Sequence, residues 1–252
     1  MKTFLSALAC AAALSLSAIS NLAWADPSDY VKTPAVEYGE REIEIKYGTS
    51  RLAAGEGRVS AGTIGIGYGV TPMWFTEAYV KYQKPPGERA HYDAFEWENK
   101  FQLTETGKYP VDLGLFVELE APRDRAEGYE FRFGPLLQTE FNRMQLNANL
   151  FLKRSVRVGG DSEPQITEMH YQAQAKYRLA REFEFGVQAF GELGKWRHWG
   201  ARDHQTHLVG PAIFGKLPMG AHQALIYDLA WLAGAGKASP DSTLRLQLEY
   251  EF

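Results

Sequence analysis

Ionisable side chains recur at every second position along much of this sequence, and apolar side chains occupy the positions between them. Residues 42–47 read Glu-Ile-Glu-Ile-Lys-Tyr, and the last nine, 244–252, read Leu-Arg-Leu-Gln-Leu-Glu-Tyr-Glu-Phe. A β-strand places successive side chains on opposite faces, so each such strand has one charged and one apolar face. Carboxylates, ammonium groups and amides gathered on one face can pair with each other or line a water path.

The alternation predicts about twelve strands. Their approximate ranges are 41–47, 59–70, 74–82, 95–103, 111–120, 129–138, 144–153, 168–177, 183–190, 209–213, 221–232 and 244–252. The segments at 209–213 and 221–232 are the weakest, and the leucines at 225, 229 and 232 equally fit one face of a helix. The connections alternate between short turns and longer polar loops, which is typical of a transmembrane barrel.

Aromatic residues on the apolar face gather near the strand ends, while Ile, Leu, Val and Ala occupy the middle. This distribution predicts two interfacial girdles around an apolar band. We therefore expect an all-β fold, a single antiparallel up-and-down transmembrane β-barrel of about twelve strands. The alternative is a soluble sheet protein, but a soluble core would place its largest side chains in mid-strand.

The N-terminus has the pattern of an export signal. Lys2 supplies a positive charge, residues 4–19 are apolar or small, and Ala23-Trp24-Ala25 fits a cleavage site. We expect residues 1–25 to be cleaved and residues 26–252 to form one barrel domain, entered through an irregular lead-in at 26–38. Cys10 is the only cysteine, so the mature domain would fold without disulfides.

The charge balance argues against one class of partner. The chain carries 27 Lys and Arg against 31 Asp and Glu, for a formal net charge of −4. It has no basic run, so we do not expect a nucleic acid partner.

The charged face supplies the residues that we expect to line an enclosed lumen. They are Glu42, Glu44, Glu77, Lys81, Glu96, Glu98, Lys100, Glu118, Glu130, Arg132, Lys153, Glu168, His170 and Arg245. Two interpretations stay open: a narrow channel, or an interior closed by its own ion pairs. Glycines at 65, 67 and 69 remove side chains from one wall, which favours a locally wider lumen, although glycine also eases strand curvature.

The sequence offers few residues that could carry out catalysis. A lipid hydrolase in an outer-membrane barrel needs a serine within reach of a histidine. No serine of the mature chain lies in mid-strand beside a histidine. We therefore predict no catalytic residue and no enzyme, with a lipid A or phospholipid hydrolase as a lesser alternative.

A candidate loop ligand site lies within residues 194–207 and comprises Trp196, His198, Trp199, Asp203 and His204. Its spacing matches no metal motif, so we predict neither a metal nor a cofactor.

The terminal Tyr250-Glu251-Phe252 resembles the end of the last strand of bacterial outer-membrane β-barrels. The resemblance implies that Tyr250 and Phe252 form an insertion signal for the barrel-insertion machinery, and that the chain lies in the outer-membrane lipid of a Gram-negative bacterium. The mature chain is similar in layout to twelve-stranded oligosaccharide and nucleoside channels, and to transporter-like barrels linked to aromatic-degradation gene sets.

This resemblance and the charged face together predict a function. We expect a narrow passive channel for small polar solutes, neutral or cationic, because the surplus of wall carboxylates disfavours anions. The alternative is a structural or ligand-binding barrel with a closed lumen, whose extracellular loops mediate interaction.

Overall fold

The strands close into a single antiparallel ring. The computed structural model describes residues 26–156 and 166–252, and within these ranges each strand pairs with its neighbours in the chain while the first pairs with the last. The strands are β1 Arg41–Arg51, β2 Arg58–Thr71, β3 Trp74–Lys84, β4 His91–Gln102, β5 Asp112–Pro122, β6 Tyr129–Phe141, β7 Met144–Val156, β8 Thr167–Ala180, β9 Phe183–Lys195, β10 Thr206–Pro218, β11 Ala224–Gly234 and β12 Ser242–Glu251. The proposed export signal, residues 1–25, lies outside the described residues.

The fold class and the strand number are confirmed. Most strands extend several residues beyond the predicted ranges, because the alternation in the sequence fades near the loops while the ladder hydrogen bonds continue. Short one-turn 3₁₀ helices occur at Ala53–Gly55 and Arg202–His204. Within the described residues, no helix has the length and apolar character needed to cross a membrane.

The ambiguous eleventh segment is a strand. Leu229 lies opposite Ile213 of β10 and Leu246 of β12, and all three side chains are exposed on the outer face. Leu232 points inward and is fully buried. The helix-like spacing of these leucines therefore arises because β11 carries apolar residues on both faces.

The outer face of the barrel is apolar and uncovered. Ile43, Ile45, Ile64 and Ile66 are 42–65% exposed at the outward positions of β1 and β2, and the outward residues of the other strands are similar. Side chains of this kind in contact with water would cost free energy in proportion to their area. The apolar outer band and the closed ring together place the chain in the outer membrane, where hydrocarbon covers this face.

The two ends of the barrel differ. β1 begins and β12 ends at the end where four of the five connections have only two to five residues, which we call the short-turn end; the β4–β5 connection there is longer. The turn between β6 and β7 is only Asn142-Arg143, and Asn142 adopts a positive φ of 54°, which asparagine tolerates better than most residues. The opposite, long-loop end carries the connections after odd-numbered strands. In outer-membrane barrels the short turns face the periplasm, so the short-turn end is the periplasmic end.

The outer face generates a stability prediction. We expect Ile64→Arg to destabilise the folded barrel in lipid vesicles by about 2–4 kcal/mol, because it places a charge in the hydrocarbon near mid-strand. Leu103→Arg is the matched control, since Leu103 is similarly exposed but lies just beyond β4 at the short-turn end. Urea unfolding followed by heat-modifiable gel migration measures both, and equal losses would contradict a lipid-facing surface at Ile64.

Candidate functional site

The enclosed space inside the barrel is the candidate site. All fourteen side chains predicted to line the lumen lie at inward positions of their strands. Glu42, Glu44, Glu77, Glu96, Glu98, Glu118 and Arg245 are buried, and the other seven are partly exposed. Burial of so many charges requires compensating partners.

Residues 26–40 supply many of these partners, because they run through the inside of the barrel. We call them the lumen segment. The sequence predicted an irregular lead-in here, and the segment is irregular, but its position inside the barrel was not anticipated. Asp26 lies in the long-loop half, and the chain then descends to the short-turn end, where β1 begins at Arg41. The segment therefore occupies the axis along which a solute would pass.

The part of the lumen segment nearest the long-loop end is held by two cations of the wall, Lys81 and Arg245. The Lys81 ammonium lies 2.8 Å from an Asp26 carboxyl oxygen, and it also contacts Glu96 and Glu120 at 3.1 and 3.0 Å. The Arg245 guanidinium donates hydrogen bonds to the backbone oxygens of Asp26 and Pro27, both at 3.1 Å. Although burial alone would raise it, the pKa of Asp26 is held well below its usual range, chiefly by Lys81 and then by hydrogen bonds from Ser28.

Asp29, three residues further along the lumen segment, is held by a second group of wall residues. Arg132 lies 3.3 Å from one of its carboxyl oxygens, and the side-chain amide of Gln172 donates to both oxygens at 3.0 Å. Burial opposes ionisation, but Arg132 and then Arg245 lower the pKa of Asp29 below its usual value. Asp29 is therefore the anionic partner of two wall guanidiniums.

Lys32 is the cationic counterpart at the centre of the barrel. Its ammonium pairs with Glu98 and lies 2.9 Å from the Tyr30 hydroxyl, and it is almost completely buried. The Lys32 backbone is also held, because its N–H donates to Gln172 at 3.1 Å and its carbonyl accepts from Asn149 at 2.8 Å. The segment thus neutralises one of the most buried wall carboxylates and satisfies wall amides.

The lower part of the segment joins the barrel as a short extension of its sheet. The backbone N–H of Val36 donates to the side-chain oxygen of Gln102 at 2.8 Å. Gly39 and Glu40 exchange backbone hydrogen bonds with Gly69, both at 2.9 Å. From this point the chain continues into β1, so the segment is tethered to the wall at the short-turn end.

Glycines of the wall make room for the lumen segment. A Cβ added to Gly48 would lie 1.7 Å from the Pro27 carbonyl oxygen, one on Gly69 would lie 1.9 Å from the Glu37 backbone oxygen, and one on Gly114 would lie 2.9 Å from Pro34.

The expectation that the glycines of β2 widen an open lumen is wrong, because neighbouring residues fill the space. At Gly65 the added atom would meet the Tyr79 ring at 2.2 Å, and at Gly67 it would meet Glu42 and Phe75.

The lumen segment separates two cavities. One of about 160 Å³ lies towards the long-loop end, and one of about 790 Å³ opens at the short-turn end. Their linings share Tyr30 and Lys32, so these two residues form part of the partition. Nine carboxylates and six Lys and Arg side chains line the smaller cavity, which therefore has a surplus of negative charge.

The wall is not charged all the way round. Phe190, Leu208, Phe214 and Leu232 are buried inward residues of β9, β10 and β11, and they form an apolar cluster with Val31 of the lumen segment. The alternation in the sequence did not predict this inner apolar patch. The patch gives the segment one apolar contact among many polar ones.

The predicted loop residues do not form an enclosed site. Trp196, His198, Trp199, Asp203 and His204 are all exposed at the long-loop end. The Asp203 carboxylate pairs with Lys237 at 2.7 Å, while Trp196 stacks beneath the neighbouring Arg197. Within the described ranges, the groups of three metal-capable side chains that lie close together are made of wall glutamates and Glu40.

Three other predicted residues lie on the strands or directly beside them. His170 lies on the inner wall near the long-loop end, with ring nitrogens 4.0 Å from Glu168 and 3.8 Å from Glu192. Tyr250 and Phe252 stack at the end of β12 with ring centroids 5.9 Å apart, and the Phe252 N–H donates to the Arg41 carbonyl across the closing seam.

A sequence signal for the lumen segment existed. Asp26, Asp29 and Lys32 recur at intervals of three in a stretch too irregular for a strand, and the wall carries both signs of charge to receive them. The spacing alone did not reveal which wall residues they meet.

Comparison with known proteins identifies the fold. No protein-family model and no curated sequence matches the chain. Among solved structures, it is similar to an outer membrane channel from Pseudomonas putida F1 with a TM-score of 0.61 and 13% identity, over 88% of this chain and 98% of that one. It also resembles the NanC porin, with a TM-score of 0.56 and 10% identity over 83% and 98% of the two chains. The translocator domain of the autotransporter NalP from Neisseria meningitidis gives 0.51 and 11% over 86% and 88%. These similarities show that the chain has the fold of outer-membrane β-barrels.

Proposed function

We propose that this protein is an outer-membrane channel for small polar solutes, neutral or cationic, that is closed by the lumen segment and opens when the segment moves. The observation that supports the proposal most directly is that the lumen segment obstructs the barrel. A short irregular segment, rather than wall side chains alone, separates two cavities that lie on the same axis and are both lined by charged side chains.

The contacts of the segment support its movement. They are mostly hydrogen bonds and ion pairs, which water can replace at modest net cost when a polar cavity lies on each side. Val31 is the member of the segment that packs in a buried apolar cluster. The backbone pairing of Gly39 and Glu40 with Gly69 gives a fixed point at the short-turn end about which residues 26–38 can swing.

The charges of the lining support a preference for cations. Carboxylates outnumber Lys and Arg side chains in both cavities. A low-dielectric wall concentrates this field, so the local concentration of cations rises and that of anions falls. Neutral solutes are not excluded by it.

Because the backbone of Pro27 packs closely against Gly48, a substitution at Gly48 can displace the lumen segment without changing any charge. We expect Gly48→Ala to raise the single-channel conductance in a planar bilayer several-fold, because the added Cβ cannot coexist with the Pro27 carbonyl. Gly62→Ala is the matched control, since Gly62 lies nearby on β2, faces outward, and has its nearest atom 3.1 Å from an added Cβ. The control should conduct like the unchanged protein.

A silent bilayer for both the unchanged protein and Gly48→Ala, with heat-modifiable migration showing folded barrels, would overturn the channel. That result would favour the alternative of a closed barrel whose long loops bind a partner. Shortening the loop at 196–205 would then abolish binding and leave solute uptake unchanged.

The lining charges generate a second prediction. In a KCl gradient across the bilayer, the reversal potential of Gly48→Ala should indicate cation preference. Adding Asp93→Asn and Glu192→Gln should move this potential towards zero, because both carboxylates line the cavity at the long-loop end. Glu88→Gln with Glu105→Gln removes two exposed carboxylates outside both cavities and should leave it unchanged. An anion-selective pore would contradict the proposal.

A further inference from the structure

The cavity at the short-turn end carries opposite charges on opposite walls. Its acidic wall is formed by the last residue of the lumen segment, the start of β1, the start of β3 and the end of β12. It comprises Glu40, Glu42, Glu77, Glu249 and Glu251. Carboxyl oxygens of Glu40, Glu42 and Glu249 lie within 4.8 Å of one another, as do those of Glu42, Glu44 and Glu77. Lys100 of β4 is the cation on this side of the cavity.

The basic wall lies across the barrel. It comprises Arg143 in the β6–β7 turn, Lys176 and Arg178 of β8, and Arg181 in the β8–β9 turn. In a closed ring of twelve strands, β7 is opposite β1 and β9 is opposite β3. The two walls therefore face each other across the cavity.

Part of the basic wall is already neutralised. Lys176 lies 3.0 Å from Glu184, and Arg178 pairs with Glu140 at 2.6 Å and Glu184 at 3.1 Å. Arg143 and Arg181 are exposed at the rim and extend the positive side towards the periplasm. Lys216 of β10 pairs with Glu251 of β12 and so marks the boundary between the walls.

We propose that this cavity binds small zwitterions, solutes that carry an ammonium group and a carboxylate a few bonds apart. The ammonium faces Glu42 and Glu249, and the carboxylate faces Arg143 and Arg181. A dipole aligned with a transverse field gains from both walls, whereas a simple anion or cation gains from one and is repelled by the other. The proposal deepens the proposed function and rests on it for transport, but binding itself does not require the channel to open.

The size and the lining of the cavity fit such a solute. A volume of about 790 Å³ is in the range of pockets for small molecules. Val36 of the lumen segment and Ile226 of β11 are partly exposed in its lining and offer apolar surface to a side chain. An amino acid or a dipeptide has this combination of two charges and an apolar group.

One dipeptide in four charge states tests the proposal. The probes are glycyl-leucine, its N-acetyl form, its C-terminal amide, and the form capped at both ends. Binding to the full chain in detergent is measured by titration calorimetry at low salt. We expect the zwitterion to bind at least about threefold more tightly than any capped form, a difference that weak, partly screened charge pairs can supply. The preference should disappear at about 1 M salt, where the screening length is near 3 Å.

Removing one wall at a time should change which form binds best. Glu42→Gln with Glu249→Gln should favour the N-acetyl anion, and Arg143→Gln with Arg181→Gln should favour the amide cation. The arginine pair lies in exposed turns, so that variant tests the proposal even if the glutamate variant fails to fold. Arg41→Gln, at the same end but on the outer face, is the control and should leave the order of affinities unchanged.

Equal binding of all four forms, or no binding of any, overturns the zwitterion site whatever the bilayer shows. Zwitterion binding by a protein that stays silent in the bilayer, with Gly48→Ala also silent, upholds the site and rejects the channel. The two proposals therefore fail by different measurements.

Discussion

Closure of twelve alternating strands is the constraint on which the rest of the structure depends. Once the apolar face of each strand meets lipid, every second side chain is forced into one enclosed space. In this chain those side chains are largely ionisable, so the interior must be neutralised where water has limited access. Wall pairs such as Lys46 with Glu44 neutralise part of the interior, and residues 26–40 neutralise more of it.

The lumen segment is therefore both a counter-charge and an obstruction. Lys32 compensates Glu98, and Asp26 and Asp29 compensate cations of the wall, so the same contacts that stabilise the interior also close the path. A segment held by such exchangeable contacts, and tethered by Gly39 and Gly69, suits reversible opening better than an apolar plug would. The two cavities differ in how their charges are arranged. The surplus of carboxylates is greater in the smaller cavity, while the larger one carries its acidic and basic residues on opposite walls.

Sequence reasoning succeeded for the strands because a period of two is a local signal. It identified even the tenth and eleventh strands, where pairing with β9 and β12 overrides a helix-like leucine spacing. It failed at the glycines of β2, which were expected to leave open space. Gly65 and Gly67 instead accommodate Tyr79, Phe75 and Glu42 from neighbouring strands, and the size of a neighbour across a sheet depends on register, which a single segment does not contain.

The sequence by itself determined the barrel and its two ends, because alternation and turn chemistry act over a few residues. Only the tertiary structure decided that residues 26–40 run inside the barrel, and that acidic and basic residues of the short-turn cavity lie on opposite walls. Both depend on contacts between residues far apart in the chain, such as Asp29 with Gln172. Such contacts are specified when the ring closes, and no local pattern encodes them.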